Sequence, residues 1–422
     1  MHSRSRKISR LQCLSFLNKK WKGDNMNNFV FHTDTLFAFG DGQEKTVAEL
    51  VRKFGGTKVM LCHYGEEFAR LSPAVNEVKA ALEEGDMPYV ELVDIQPNPR
   101  SDKVYEGIEL ARKEGCDFFL AIGGGSAIDT AKAVALGVPY DGDFWDFFDY
   151  KAGLVKETMP VGSVLTIAAA GSEGSSHCVI TRAETNAKWG VIPNPVIRPK
   201  FAILNPRYTT TLPKFQIACG AFDMISHVCE RYFTNTEDVD LTDRICEAVM
   251  KTAVISAKKA IANPKDYAAQ ANLMWIANLG HNETVGVGRT QDWASHLIEH
   301  ELAAVVDCAH GAGLAVIMPA WMEYVMDHDP MRFAQFGVEV FGLPMDYKHP
   351  EVTAKAAIDA FRQFAKDLGL PTTLGELGVK EEDIPTIVDH RRNADVVIDT
   401  FPFAQFVPIY AEDMEKILRL AL

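Results

Sequence analysis

Cysteine is too scarce and too scattered in this chain for a disulfide framework. Eight occur in 422 residues (Cys13, Cys62, Cys116, Cys178, Cys219, Cys229, Cys246 and Cys308), and no two form a C-x-x-C pair. Thiols used so sparingly are expected to stay reduced and mostly buried, in a reducing, cytoplasmic compartment. Basic charge is also short. Lys and Arg number 43 against 57 Asp and Glu, a formal net charge of -14, so neither nucleic acid nor an anionic membrane is expected as a partner. Any phosphate bound here must be held by backbone amides. No internal repeat, heptad series or low-complexity tract is present.

The first 25 residues differ from the rest. They hold seven Lys or Arg, but no apolar run long enough for a signal peptide or a membrane span. Trp21-Lys22-Gly23-Asp24 gives no clear cleavage signature, so residues 1–25 read as a disordered basic extension, with a transit peptide as the competing reading and Met26 as an alternative start.

What remains is ordinary for a packed enzyme: 47% hydrophobic and 24% charged residues. At about 150 residues per domain the length suggests two or three domains, with two as the simplest division. From Lys58 onward short apolar runs alternate with helical patterns: a strand at Val59 to Cys62, a helix near Ser72 to Glu84, and a strand at Tyr89 to Ile95. A helix near Asp102 to Glu114 and a strand at Asp117 to Ile122 follow. Strands separated by helices of ten or more residues predict βαβ units and a parallel sheet. Further strands are expected at Val161 to Ala168 and Phe201 to Leu204, with a loop at Val191 to Lys200. Beyond about Pro213 the pattern turns helical: Ala218 to Tyr232, Asp240 to Ala262, Tyr267 to Asn278, Trp293 to Val306 and Thr353 to Leu368. The expected division is an α/β domain over residues 26–210 and an all-α domain over 211–422, the boundary falling within Asn205 to Lys214.

The strand ending at Ile122 runs directly into Gly123-Gly124-Gly125-Ser126 and then a helical stretch to Leu136. Such a turn lets backbone N–H groups approach a pyrophosphate at a helix N-terminus, where the helix dipole also favours an anion. A tight turn with Ser126 as N-cap explains the same glycines without a ligand. Asp129 likewise has two readings, a dipole-complementing residue of the first turn or a contact to a cofactor.

Asp223 and His227 are four residues apart, as are His296 and His300, so each pair shares a helix face. His310 follows in Ala309-His310-Gly311. On one unbroken helix His296 and His310 would stand about 21 Å apart, too far to share an ion. A turn at Asp307-Cys308 and a fresh helix from His310 would remove that obstacle. One carboxylate with several imidazoles suits Zn(II), Fe(II) or Mn(II) and leaves a position for substrate. A histidine taken singly is more often a packed core or cap residue, but the spacing occurs twice. Spacing alone leaves a hydrolytic metalloenzyme open, although no H-E-x-x-H motif supplies its glutamate base.

Together these residues resemble the iron-containing alcohol dehydrogenase family, in its butanol dehydrogenase-like branch. The likeness runs from about Phe29 to Leu422. It is carried by Pro97-Asn98-Pro99, Gly123-Gly124-Gly125-Ser126, Thr166 with Gly171-Ser172-Glu173, Asp223-x3-His227, and His296-x3-His300-x9-His310-Gly311. The resemblance implies the dehydroquinate synthase-like fold, an N-terminal α/β dinucleotide domain and a helical C-terminal domain with the active site in the cleft between them. It implies Asp223, His227, His296 and His310 as ligands of one divalent metal, and His300 nearby as a catalytic proton-relay residue. Asn98, Gly124, Gly125, Ser126, Asp129, Thr166 and Lys188 would contact the cofactor. The implied reaction is hydride transfer between a nicotinamide dinucleotide and a small primary alcohol or aldehyde, by a homodimer. A polyol dehydrogenase or dehydroquinate synthase-like enzyme, or a non-catalytic metal or nucleotide-binding module, are the alternatives; the first two should bring more basic residues to the site than Lys188 and Arg289.

The sequence departs from that family at three places. His63-Tyr64-Gly65-Glu66-Glu67-Phe68 stands where a glycine-rich segment with Ser and Lys is common, His281 stands where an apolar residue is usual, and Ala170 replaces a threonine in Ala169-Ala170-Gly171-Ser172. Acidic groups at the end of a dinucleotide-domain strand accept hydrogen bonds from a free ribose and repel a 2′-phosphate, so Glu66 and Glu67 predict NAD(H) in preference to NADP(H). The competing reading makes them solvated acids of a first helical turn. The basic extension precedes every one of these motifs. A chain beginning at Met26 is therefore expected to fold and turn over as the full chain does, and loss of the far-UV circular dichroism signal in that truncation would contradict it.

Overall fold

The computed structural model describes residues 26–394 and 402–422; the proposed basic extension lies outside them. Two compact units divide the chain, one formed by His32–Ile167 and Gly171–Thr211, the other by Ala168–Ala170, Leu212–Leu422 and the segment ending at Phe31.

The first unit is built on β1 (Leu36–Phe39), β2 (Val59–Cys62), β3 (Tyr89–Leu92), β4 (Phe118–Gly123), β5 (Val161–Leu165), β6 (Val179–Thr181), β7 (Lys188–Gly190) and β8 (Phe201–Leu204). Six strands form one sheet in the order β1-β8-β5-β4-β2-β3, every neighbour parallel, while β6 and β7 pair as a separate antiparallel hairpin. β2, β4, β5 and β8 are buried at every position, because a parallel sheet covered on both faces needs apolar side chains in both directions. The helices are α1 (Val47–Lys53), α2 (Glu66–Leu71), α3 (Ala74–Glu84), α4 (Ser101–Glu114) and α5 (Gly125–Gly137). β1 and the hairpin were not expected from the sequence. Their three- and four-residue runs are too short to show a period. Lys188 therefore lies on a strand, and the strand expected over Val161 to Ala168 stops at Leu165. From β2 the chain moves to β3 on one side, then to β4 and β5 on the other, so the strand order reverses between β2 and β4. In open α/β sheets ligands bind outside the carboxyl ends of the strands at such a reversal.

The second unit contains α6 (Lys214–Tyr232), α7 (Asp240–Ala262), α8 (Tyr267–His281), α9 (Ala294–Val306), α10 (His310–Val325), α11 (Pro330–Phe336), α12 (Pro350–Asp367), α13 (Ile384–Ala394) and α14 (Ala411–Leu420). No helix of the described residues is long and apolar enough to cross a membrane.

A buried charge cluster ties this unit together. Asp243 on α7 accepts from Arg289 Nη2 at 2.6 Å and, in a two-point contact, from Arg332 at 2.5 and 2.6 Å. Arg332 also lies 3.9 Å above the Tyr232 ring and donates through Nε to the Tyr232 carbonyl at 2.8 Å. Burial by itself would raise the Asp243 carboxyl, but Arg332 and Arg289 outweigh it and hold it below the ordinary carboxylate range. A carboxyl depressed in the folded state stabilises the fold above its unfolded pKa and loses that contribution as pH falls through the folded value. Removing one partner leaves buried guanidinium charge uncompensated, so Asp243→Asn is expected to cost roughly 3 kcal/mol near neutrality. Thermal melts of both proteins should show that gap narrowing as the pH is lowered below about 4; a constant gap would mean that Asp243 is not charged in the native protein.

Candidate functional site

In the helical unit, Asp223, His227 and Glu230 fall at spacings of four and three on α6 and so share one face. α9 ends at Val306, and Asp307 caps it in the left-handed region at φ 48°, reversing the chain before α10 starts at His310. That reversal brings the His296 and His310 ring centroids to 5.3 Å. The first turn of α10 packs backbone-to-backbone on α6: a Cβ at Gly311 would stand 2.1 Å from the Cys219 carbonyl oxygen, so only glycine permits the approach.

The result is a convergent set of donor atoms. One ligand atom each from Asp223, His296 and His310 lies within 4.8 Å of the others. Asp223 Oδ1 is 3.9 Å from His296 Nε2 and 3.6 Å from His310 Nε2. Both Asp223 Oδ1 and His296 Nε2 are buried without a hydrogen-bond partner, an arrangement that a protein ordinarily avoids and that a cation would satisfy. Burial would raise the Asp223 carboxyl, but His227, His310 and His296 outweigh it and keep it well below its usual range. Burial, reinforced by His227 and His310, holds the His296 imidazole well below its usual value, leaving it neutral with an available lone pair. A carboxylate and neutral imidazoles are the donors that Fe(II), Zn(II) and Mn(II) accept, and the site fits such an ion.

His227 lies beside this trio. Its Nδ1 is 3.0 Å from the Asp223 carbonyl oxygen and 3.2 Å from Asp223 Oδ1, and its ring is 4.6 Å from that of His296. His281, the residue that departs from the family pattern, packs edge-on against His227 at 4.5 Å. His300 forms a second convergent group with Glu299 and His310, its ring 5.7 Å from that of His310.

Two carboxylates that the motifs did not single out orient these rings. Glu230, wholly buried, accepts from the Trp293 N–H at 2.8 Å, the Ser295 hydroxyl at 2.6 Å and the His296 N–H at 3.0 Å, and lies 2.7 Å from His296 Nδ1. Burial pushes its carboxyl up, while these donors draw it back. Glu299 contacts His310 Nδ1 in the same way. With Nδ1–H given to a carboxylate, each ring presents Nε2 to the cation position. The signal for Glu230 was legible as a third acid or imidazole on the Asp223–His227 face; Glu299 adjoins His300.

In the α/β unit, β4 ends at Gly123 and Gly124 is the N-cap of α5. Ser126 is thus inside the first turn and not the cap, and Asp129 belongs to the second turn. A Cβ at Gly124 would stand 2.3 Å from Ile167 Cγ2, and the Gly124 N–H donates to the Tyr64 hydroxyl at 3.1 Å. The turn opens a thirteen-residue helix whose start favours an anion; the Tyr64 hydroxyl lies there against Gly124, Ser126 and Ala127, and the residues fit a pyrophosphate that takes that hydroxyl's place. Thr166 adjoins the turn, its N–H donating to the Gly123 carbonyl at 3.0 Å. Asp129 has another task. Its oxygens accept from Ser172 Oγ at 2.5 Å and the Val179 N–H at 2.9 Å, and they lie near the wholly buried Lys132. Lys132 donates to the carbonyls of Ser172, Ser175 and His177 at 2.7, 3.1 and 2.8 Å. Lys188, on β7, contributes to the field at Asp129. Asn98 is half-buried at φ 54° in the segment where Pro99 accepts from the Thr181 N–H at 2.7 Å. Glu66 and Glu67 open α2, and the Glu66 side chain is 94% exposed with Arg70 at 3.6 Å. Helix start and solvation account for their positions.

Known proteins share this architecture. The sequence profile described as iron-containing alcohol dehydrogenase matches residues 35–206, and that of the family's C-terminal part matches residues 217–422. The chain is 37% identical over 396 residues to NADH-dependent butanol dehydrogenase A of Clostridium acetobutylicum, covering 93% of this chain and 99% of that one. It is 33% identical over 365 residues to an NADPH-dependent aldehyde reductase of Escherichia coli, covering 86% and 92%. The crystal structure of NADH-dependent butanol dehydrogenase A from Thermotoga maritima superposes with a TM-score of 0.89 at 37% identity, covering 94% of this chain and 99% of that one.

The role of Glu230 can be separated from ligation. Glu230→Gln keeps the side-chain shape but loses the charge that fixes the His296 ring, so metal affinity measured by competition with a chelator is expected to fall about 10- to 100-fold. Unchanged affinity would show that His296 needs no such orientation.

Proposed function

The chain belongs to the iron-containing alcohol dehydrogenase family, and from that premise we propose that it interconverts small primary alcohols and aldehydes, exchanging a hydride with NAD(H) in preference to NADP(H). The observation that carries this reading is the meeting of Asp223 Oδ1, His296 Nε2 and His310 Nε2 around one position, with Asp223 Oδ1 and His296 Nε2 buried and making no hydrogen bond to a described residue. Asp223, His296, His310 and the adjacent His227 would hold one divalent ion, Fe(II) or Zn(II) by their chemistry and Mn(II) as a further fit. When bound, such an ion supplies Lewis-acid polarisation of a substrate oxygen.

The protein's own residues do the rest. Glu230 and Glu299 orient the imidazoles. Trp293 packs against His227 and His296 at 5.8 and 5.2 Å and keeps water from that side of the ligand set. His300, beside His310 and less buried than His296, is the group to hold and return the proton of the alcohol. Gly124, Gly125 and Ser126 would receive the coenzyme pyrophosphate at the start of α5, with Thr166 beside them. Asn98 and Lys188 are assigned to its periphery, while Asp129 acts through Ser172 and the segment it anchors. The NADH-dependent butanol dehydrogenase relatives support the coenzyme preference, and the NADPH-dependent aldehyde reductase marks the alternative within the family. The family likeness supports a homodimer, and the few, mostly buried cysteines support a reducing, cytoplasmic setting.

Metal analysis of the purified protein, with nicotinamide absorbance assays over two- to six-carbon aldehydes and both coenzymes, tests the whole reading. His296→Ala is expected to lose both metal and turnover. His300→Gln should keep the metal and lower kcat about 100-fold, the usual size of a general acid–base contribution. Full metal occupancy and turnover in His296→Ala would overturn the ligand assignment, and metal loss in His300→Gln would move His300 into the ligand set.

A further inference from the structure

The acid that the structure sets over the carboxyl ends of the strands is Asp94. It lies two residues beyond β3, where His63 N–H donates to the Leu92 carbonyl at 3.1 Å and so binds the end of β2 to the end of β3. Asp94 adopts a left-handed backbone at φ 61°. That turn sends its carboxylate back over the neighbouring strand end: a Cβ at Gly65 would stand 2.4 Å from Asp94 Oδ1. Gly65, itself at φ 93°, leaves that space free for it. Asp94 is exposed, while Lys79 pairs with Glu91 at 2.6 Å and Arg70 with Glu66 at 3.6 Å. Among the described residues no cation pairs with it. A left-handed aspartate costs on the order of 1 kcal/mol relative to glycine, a cost that no ion pair among the described residues offsets.

We propose that Asp94, and not Glu66 or Glu67, sets the coenzyme preference of this protein by accepting from the adenosine ribose hydroxyls and repelling a 2′-phosphate. This rests on reading the Gly123–Gly125 turn as the pyrophosphate site. β4, β2 and β3 are consecutive and parallel; at about 4.8 Å per strand their carboxyl ends span about 10 Å. A dinucleotide whose pyrophosphate rests on the end of β4 and whose adenosine half extends over β2 brings its ribose to Gly65 and Asp94. Dinucleotide folds bind a free ribose through an acid at the end of the strand next to the phosphate turn; that strand here is β2, and Asp94 reaches across from the end of β3 to Gly65 just beyond it. Glu66 points into solvent with Arg70, so its charge is screened and partly neutralised.

The test is equilibrium binding of NADH and NADPH to the full chain, followed by nicotinamide fluorescence at low and high salt. Asparagine tolerates the left-handed backbone, so Asp94→Asn should keep the circular dichroism spectrum and melting temperature. NADPH binding is expected to tighten roughly tenfold and NADH binding to weaken a few-fold, and added salt should narrow the wild-type gap between coenzymes more than that of the variant. A Glu66→Gln, Glu67→Gln double variant should leave the ratio of the two affinities where it is. An unmoved ratio in Asp94→Asn, or a ratio that moves in the double variant, overturns the proposal while NADH binding itself stands. Failure of the wild-type chain to bind either dinucleotide overturns the reading of the phosphate turn as well.

Discussion

Four donors meet at the carboxylate of Glu230, three of them from the stretch between Trp293 and His296 that starts α9 and one from the His296 ring itself. A wholly buried carboxylate is expensive unless its lone pairs are filled, and here filling them fixes both the entry of a helix and the orientation of a ring. Trp293 takes a left-handed backbone at φ 73° to deliver its N–H, a strained conformation for so large a residue. Because Glu230 lies on the same face of α6 as Asp223 and His227, one helix supplies a charge at the cation position and the acid that aims the opposing imidazole at it. The other constraints serve the same end. Asp307 reverses the chain and Gly311 lets α10 touch α6, so that His310 arrives from a third direction with Glu299 behind it.

The α/β unit uses a buried ion pair differently. Lys132 and Asp129 are both pulled toward neutrality by burial, and each opposes that effect on the other. Their hydrogen bonds all run to the segment from Ser172 to Val179, so the pair clamps that segment along α5. An acid with a motif-like position beside a glycine turn can thus act by holding the backbone of a neighbouring segment. The Gly123–Gly125 turn has what an acidic chain would need to hold a phosphate, amides at a helix start with little dependence on cationic side chains.

Periodicity and motif spacing carried a large share of this protein. Buried strands such as Phe201–Leu204 are uniformly apolar, and long helices such as Asp240–Ala262 repeat their apolar face several times, so both were legible with little error. β1 and the β6–β7 hairpin were not, because short strands take their stability from the partners they pair with and not from their own composition. The N-cap of α5 was misplaced by two residues for a related reason: serine is a good cap, but the left and right neighbours of the turn, Tyr64 and Ile167, decide where the helix begins.

The sequence by itself determined the fold class, the family and which acids and imidazoles share a helix face, since those depend on chemistry-bearing side chains at fixed spacings along α6 and α9. Only the tertiary structure decided how they are used. It set Glu230 and Glu299 behind the histidines, turned Asp129 toward Lys132 and Ser172, sent Glu66 into solvent and brought Asp94 over Gly65. All but the Glu66 placement pair segments distant in sequence or separated by a reversal, and a side chain's electrostatic role depends on which segment its neighbour comes from. Spacing along one element can fix a face, but the partner across that face is chosen by packing.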